Sequence, residues 1–125
     1  MRILLVDDEL EFVVTLAERL ALRGIDADYT IQPEDAVEKA KATDYQLAVL
    51  DVKMPKVSGI NLKKQLQKTT PEMKFIFLTG HGSEESYREG ASEAGAEYYL
   101  LKPIQIEDLV DKIRTALDIK EGRGR

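Results

Sequence analysis

The sequence predicts an α/β fold, a doubly wound parallel sheet of five strands with helices on both faces. Two observations carry that reading. Short apolar runs alternate with longer amphipathic stretches along the chain, the pattern of repeated βα units. Four of those runs also end in a carboxylate, a hydroxyl or an amine. Asp7 and Asp8 close Ile3–Val6, Asp51 closes Leu47–Leu50, Thr79 closes Phe75–Leu78, and Lys102 closes Tyr98–Leu101. In parallel strands such groups all project from one carboxyl edge, where open α/β sheets hold their ligands.

The elements follow in order. Residues 2–6 read as a buried strand. From Glu9 to Arg23, apolar Phe12, Val13, Leu16, Leu20 and Leu22 fall near helical spacing, and Gly24 supplies the stop. Residues 25–30 alternate (Ile25, Ala27, Tyr29) and suit a strand near an edge. Pro33 opens a second helix that ends near Thr43, because proline fits the first helical turn. Residues 45–50 form the next strand. Ser58-Gly59 opens a helix carrying Ile60, Leu62 and Leu66, and Pro71 breaks the chain before strand 73–78. Ser83 is the N-cap expected for a helix over 84–94, whose few large apolar residues and Gly90-Ala91 pair make it the least stable. Strand 97–101 follows. Ile106, Leu109, Val110, Ile113 and Leu117 mark the apolar stripe of a last helix.

Composition narrows the function classes. The 125 residues favour one domain, with 1–120 as its body and 121–125 as a frayed tail or the start of a linker. The formal charge of −5 comes with no basic stripe, so no nucleic-acid footprint is expected. There is no cysteine, which excludes a disulfide framework and a thiolate metal site and fits a cytoplasmic chain. No run approaches the roughly 20 apolar residues of a membrane-spanning helix.

Three carboxylates at one strand edge repel one another unless a cation joins them. Only oxygen ligands are on offer, so the natural ion is hard: Mg²⁺ rather than a transition metal. An open metal site beside a free carboxylate suits attack on phosphorus, giving an aspartyl phosphate. A lysine would balance charge on the transferring group, and a hydroxyl would donate to one of its oxygens.

Four strings then give the chain a family resemblance: Leu4-Leu5-Val6-Asp7-Asp8-Glu9, Leu50-Asp51-Val52-Lys53-Met54-Pro55 with Gly59 and Leu62 behind it, Leu78-Thr79-Gly80-His81-Gly82, and Lys102-Pro103. In this order, at strand ends, they resemble a CheY-like response-regulator receiver domain of two-component signalling, over residues 2 to about 118. The resemblance implies the flavodoxin-like strand order 2-1-3-4-5, with residues 7, 8 and 51 at the topological switch point. It implies that Asp51 is the phosphoacceptor. Mg²⁺ would be held by Asp8 directly, by Asp7 largely through water, by Asp51 and by the carbonyl of Lys53. Thr79 and Lys102 would grip the phosphoryl oxygens, and the Lys102-Pro103 bond would be cis. It further implies a switch in which Thr79 moves toward the phosphoryl group and Tyr99 rotates into the space vacated. That movement would remodel the surface of segment 84–94, strand 97–101 and the last helix. The partners implied are a sensor histidine kinase and an output domain or target protein, with a phosphorylation-dependent homodimer also allowed. The domain would catalyse only its own phosphorylation and dephosphorylation. Lys53 and His81 flank the path of a hydrolytic water, and slow to moderate autodephosphorylation is expected. Tyr98 stands where many receivers with winged-helix outputs carry an acid, which departs from that group's charged dimer interface.

Each residue has a plainer reading taken singly. Asp8 could cap the first helix. Thr79 could belong to a turn, and Lys102 could be a solvated surface lysine. Tyr99 could be core, with Tyr98 on the surface. Three other functions compete. A haloacid-dehalogenase-type Mg²⁺ phosphatase also forms an aspartyl phosphate, but it needs a second acid where Lys53 stands. A flavodoxin-like flavin carrier needs a phosphate loop where Asp7-Asp8-Glu9 would repel phosphate. A degenerate receiver used only for contacts would not need the intact pocket.

Overall fold

The computed structural model describes residues 1–80 and 98–117. Five strands, β1 (Arg2–Val6), β2 (Asp26–Thr30), β3 (Leu47–Asp51), β4 (Lys74–Thr79) and β5 (Tyr98–Leu101), form one sheet in the order β2-β1-β3-β4-β5. Every pairing is parallel. Four helices are described: α1 (Leu10–Ala21), α2 (Pro33–Ala42), α3 (Gly59–Thr69) and α4 (Ile106–Ala116). The expected helix over 84–94, its Ser83 cap, His81 and the tail beyond residue 120 lie outside the described residues.

Alternation along the strands builds two cores. One face of the sheet carries Leu4, Val6, Ala48, Leu50, Phe75 and Phe77 against α2 and α3. The other carries Ile3, Leu5, Leu47, Val49, Ile76 and Leu78 against Val13, Leu16 and Leu20 of α1 and Leu109, Val110 and Ile113 of α4. Central strands covered on both faces read as continuous apolar runs, which is why β1, β3 and β4 stand out in the sequence. An ion pair between Arg23 and Glu107, at 2.7 Å, ties the end of α1 to the start of α4.

Local rules set the ends of the elements. Pro33 sits in the first turn of α2. The Ser58 side chain accepts from the Asn61 N–H at 3.1 Å and caps α3. Gly24 has φ +79, the left-handed conformation that glycine adopts without a Cβ clash, just beyond α1. Lys63 of α3 is buried, its ammonium 5.1 Å from the centre of the Phe75 ring and 2.8 Å from Gln67.

Three expectations are corrected. Leu22 is 84% exposed, because α1 ends at Ala21 and two residues beyond buried Leu20 is about 200° around the helix. Asp8 is not the cap of α1: the N-cap is Glu9, with no side-chain cap bond. The plainer readings of the tyrosine pair are reversed. Tyr98 packs against the α1–α4 core with Lys112 over its ring, whereas Tyr99 is 38% exposed. Tyr29 also stays 40% exposed at the far end of edge strand β2.

Gly59 carries the first testable consequence. Its N–H donates to the Val52 carbonyl at 2.9 Å, and a Cβ there would fall onto the Asp51 carbonyl oxygen. The loop after β3 and the start of α3 therefore meet backbone to backbone, directly behind Asp51. Gly59→Ala should cost about 1–3 kcal/mol in urea denaturation, as overpacking does, despite alanine's better helix propensity.

Candidate functional site: an acidic cluster at the carboxyl edge of the sheet

The ends of β1, β3 and β4, with the turn after β5, bring Asp7, Asp8, Asp51, Thr79 and Lys102 to one edge of the sheet. Parallel register does this directly: Val6 lies opposite Leu50, and Asp51 opposite Leu78. Asp7 and Asp51, which follow Val6 and Leu50, then project at the same height, and Thr79 stands one residue further along β4 than the partner of Asp51.

One carboxylate oxygen each from Asp7, Asp8 and Asp51 lie within 4.8 Å of one another. Asp7 and Asp51 are buried and Asp8 is exposed, so the cluster has two walls and an open side. Such a set of hard oxygen donors fits a divalent cation.

Lys102 reaches into the cluster. Its ammonium donates to Asp7 Oδ2 at 2.8 Å and to Glu9 Oε1 at 3.3 Å, and lies 3.8 Å from Asp51 Oδ1. It also sits 4.7 Å from the centre of the Phe12 ring. Its backbone N–H donates to the Thr79 carbonyl at 2.8 Å, fixing the turn from which the side chain starts. The Lys102-Pro103 bond is cis. Asp7 is occupied on both oxygens, since Oδ1 accepts the Glu9 N–H at 2.9 Å.

Electrostatics follow from burial. Desolvation pushes the Asp51 carboxyl up to about 7; the charges of Asp7 and Asp8 add to this, while Lys102 and the Lys53 N–H oppose it. Burial also raises Asp7, even though Lys102 and the Glu9 N–H favour its charged form. Burial works against the charged form of Lys102, but the Asp7 hydrogen bond and the charges of Asp7 and Asp51 outweigh it and raise the amine. The two partners differ because Asp7 is 1% exposed and Lys102 21%. A site that holds a carboxyl near neutrality beside two further acids favours a metal ion that takes the proton's place.

The remaining candidates are nearby. Thr79 is the buried last residue of β4. Lys53 is exposed and meets Asp51 through its backbone N–H. Among the described residues nothing lies within 4 Å of where a Cβ on Gly80 would stand. Tyr99 lies on β5, three residues before the lysine. Sequence reasoning assigned no role to Glu9, Phe12 or the close approach at Gly59. A third acid directly after Asp7-Asp8 was the visible signal for Glu9. Among the described residues no helix is long and apolar enough to cross a membrane.

Comparison with known proteins places this edge in context. Residues 3–114 match the family described as the response regulator receiver domain. The response regulator MprA of Mycobacterium leprae is 33% identical over 117 residues, covering 94% of this chain and 51% of that protein. The chain thus spans about half the length of the curated relatives it matches. A CheY-like receiver domain protein from Methanospirillum hungatei superposes with a TM-score of 0.85 at 32% identity, covering 94% of this chain and 93% of that one. The response regulator TrrA of Thermotoga maritima, solved with Mg²⁺ and BeF, superposes with a TM-score of 0.80 at 31% identity, covering 92% and 97%.

Proposed function

The chain belongs to the response regulator receiver domain family, and we propose that it is a phosphorylation-controlled switch in which Asp51 takes a phosphoryl group from a histidine kinase. One observation carries this reading. Three carboxylates converge within 4.8 Å, one of them held near neutrality, with a lysine ammonium 3.8 Å from the proposed acceptor. TrrA, similar over nearly its whole length, has been captured with Mg²⁺ and BeF.

The residues fit Mg²⁺, with Asp8, Asp51 and the Lys53 carbonyl as direct ligands and Asp7 acting through water. Both Asp7 oxygens already hold protein donors, which suits that outer role. Bound there, the ion would neutralise the acids and draw charge from the transferring oxygens. Asp51 attacks phosphorus through a carboxylate oxygen. The new O–P bond forms as the bond to the donor's leaving group breaks, and the leaving group departs with the electron pair. Lys102 and Thr79 hold two of the phosphoryl oxygens and stabilise their charge. Gly80 has no side chain to crowd the donor's approach.

The switch is then a population shift: the phosphoryl group favours the conformer in which Thr79 and Lys102 contact it, by as much as it binds that conformer better. Tyr99, half-exposed on edge strand β5, is the side chain proposed to turn inward with Thr79. The output is an attached domain or a target protein that reads this face, in the cytoplasm. Incubation with acetyl phosphate and Mg²⁺, followed by intact mass, tests the function. One phosphoryl group is expected, lost slowly, and none when EDTA removes the ion. Labelling that ignores EDTA would contradict the reading.

A further inference from the structure

Lys102 is held by two acids that do different jobs. Asp7 lies at the floor of the pocket, 1% exposed and within the three-carboxylate cluster. Glu9 stands at the rim, 65% exposed, and is not part of that cluster. Both accept from the same ammonium, and the Phe12 ring lies beside it. At 3.8 Å the Asp51 oxygen is outside hydrogen-bond range of that ammonium. In this arrangement the ammonium is held off Asp51 by Asp7 and Glu9 together.

A divalent ion in the cluster changes only one of those holds. Held by Asp8 and Asp51 with Asp7 behind a water, it would weaken the pull of Asp7 on the ammonium without displacing it, because both cations would draw on the charge of the same carboxylate. The Glu9 carboxylate lies outside the cluster, so its hold survives. The lysine is then shared between Glu9 on the rim and whatever sits on Asp51. We infer that Glu9, with the Phe12 ring as a second wall, is a positioning residue that competes with the phosphoryl group for Lys102 and so sets how tightly the activated state is held. This rests on the proposed function, since it presumes that Lys102 contacts a phosphoryl group on Asp51.

Reach distinguishes this from a general effect of negative charge. Glu9→Gln removes the charge that holds the ammonium. Glu9→Asp keeps the charge but shortens the arm by one methylene, so the present 3.3 Å contact is lost. A clamp that depends on contact fails in both variants. A field effect fails only in the first. Glu9 is exposed at its side chain, so neither variant threatens the fold.

The experiment titrates beryllofluoride into the chain at saturating Mg²⁺ and follows the bound form by fluorine NMR. Glu9→Gln and Glu9→Asp should each lower the half-saturating concentration about two- to fivefold, the range of a partly exposed ion pair. Glu9→Asp titrating like the unaltered chain would overturn the inference, as would a Glu9→Gln curve that is unchanged or weaker. In those cases the unaltered chain still binds and the parent reading stands. No beryllofluoride binding by the unaltered chain would overturn both.

Discussion

Asp51→Asn should fold, bind no phosphoryl group, and gain stability at alkaline pH. The loss is complete because the amide is a poor nucleophile and no other carboxylate takes its place: Asp7 has both oxygens engaged, and Asp8 stands on the open side. The check is intact mass after acetyl phosphate and Mg²⁺, beside the unaltered chain. Labelling below detection is expected. By comparison, Lys102→Ala removes one stabilising cation from the transferring group and should slow labelling on the order of 10²- to 10³-fold rather than abolish it. The variant should also fold, leaving a domain unable to relay the phosphoryl signal. The difference between the two variants separates the acceptor from its supporting charge.

The second large effect is on stability against pH in EDTA. Burial raises the Asp51 carboxyl to about 7 in the folded chain, against about 3.9 when unfolded. Between those values the folded state holds the proton that the unfolded state has released. Stability therefore falls as pH rises from about 4 to about 7 and then levels off. A shift of this size corresponds to roughly 2–4 kcal/mol at most. Asp7, also raised by burial, acts in the same direction. The clean measurement is the difference in urea unfolding between Asp51→Asn and the unaltered chain, since the carboxylates outside the cluster cancel. The variant should be the more stable at pH 8, with the advantage shrinking toward pH 4. Saturating Mg²⁺ should narrow the gap at pH 8, because the ion binds the ionised cluster and stabilises only the folded chain. A difference independent of pH would mean that Asp51 is not held protonated by its surroundings.

The fold and the main site residues were legible because their signals are linear. Central strands covered on both faces must be apolar throughout, so Ile3–Val6, Leu47–Leu50 and Phe75–Leu78 declare themselves, and whatever follows them lies at the same edge. Parallel topology turns that one-dimensional pattern into a cluster. What escaped depends on reach and facing. Glu9 reads as one more acid at a helix start, and it is the fold that brings it to an ammonium 93 residues away. Phe12 reads as part of an apolar stripe, though its ring lies beside Lys102. Gly59 reads as a helix opener, while its tighter constraint is the Asp51 backbone. Leu22 kept the look of helical periodicity one residue beyond the helix end, where periodicity no longer sets burial. The tyrosine pair shows the weakness of alternation on an edge strand, since either neighbour could have faced the core.

The most direct test is a structure of the chain with Mg²⁺ and beryllofluoride. The expected result is a single ion touching Asp8, Asp51 and the Lys53 carbonyl, with beryllium on an Asp51 oxygen and the Thr79 hydroxyl and Lys102 ammonium on its fluorines. An ion bound elsewhere, or Asp51 turned away from Asp8 with beryllofluoride on another residue, would contradict it.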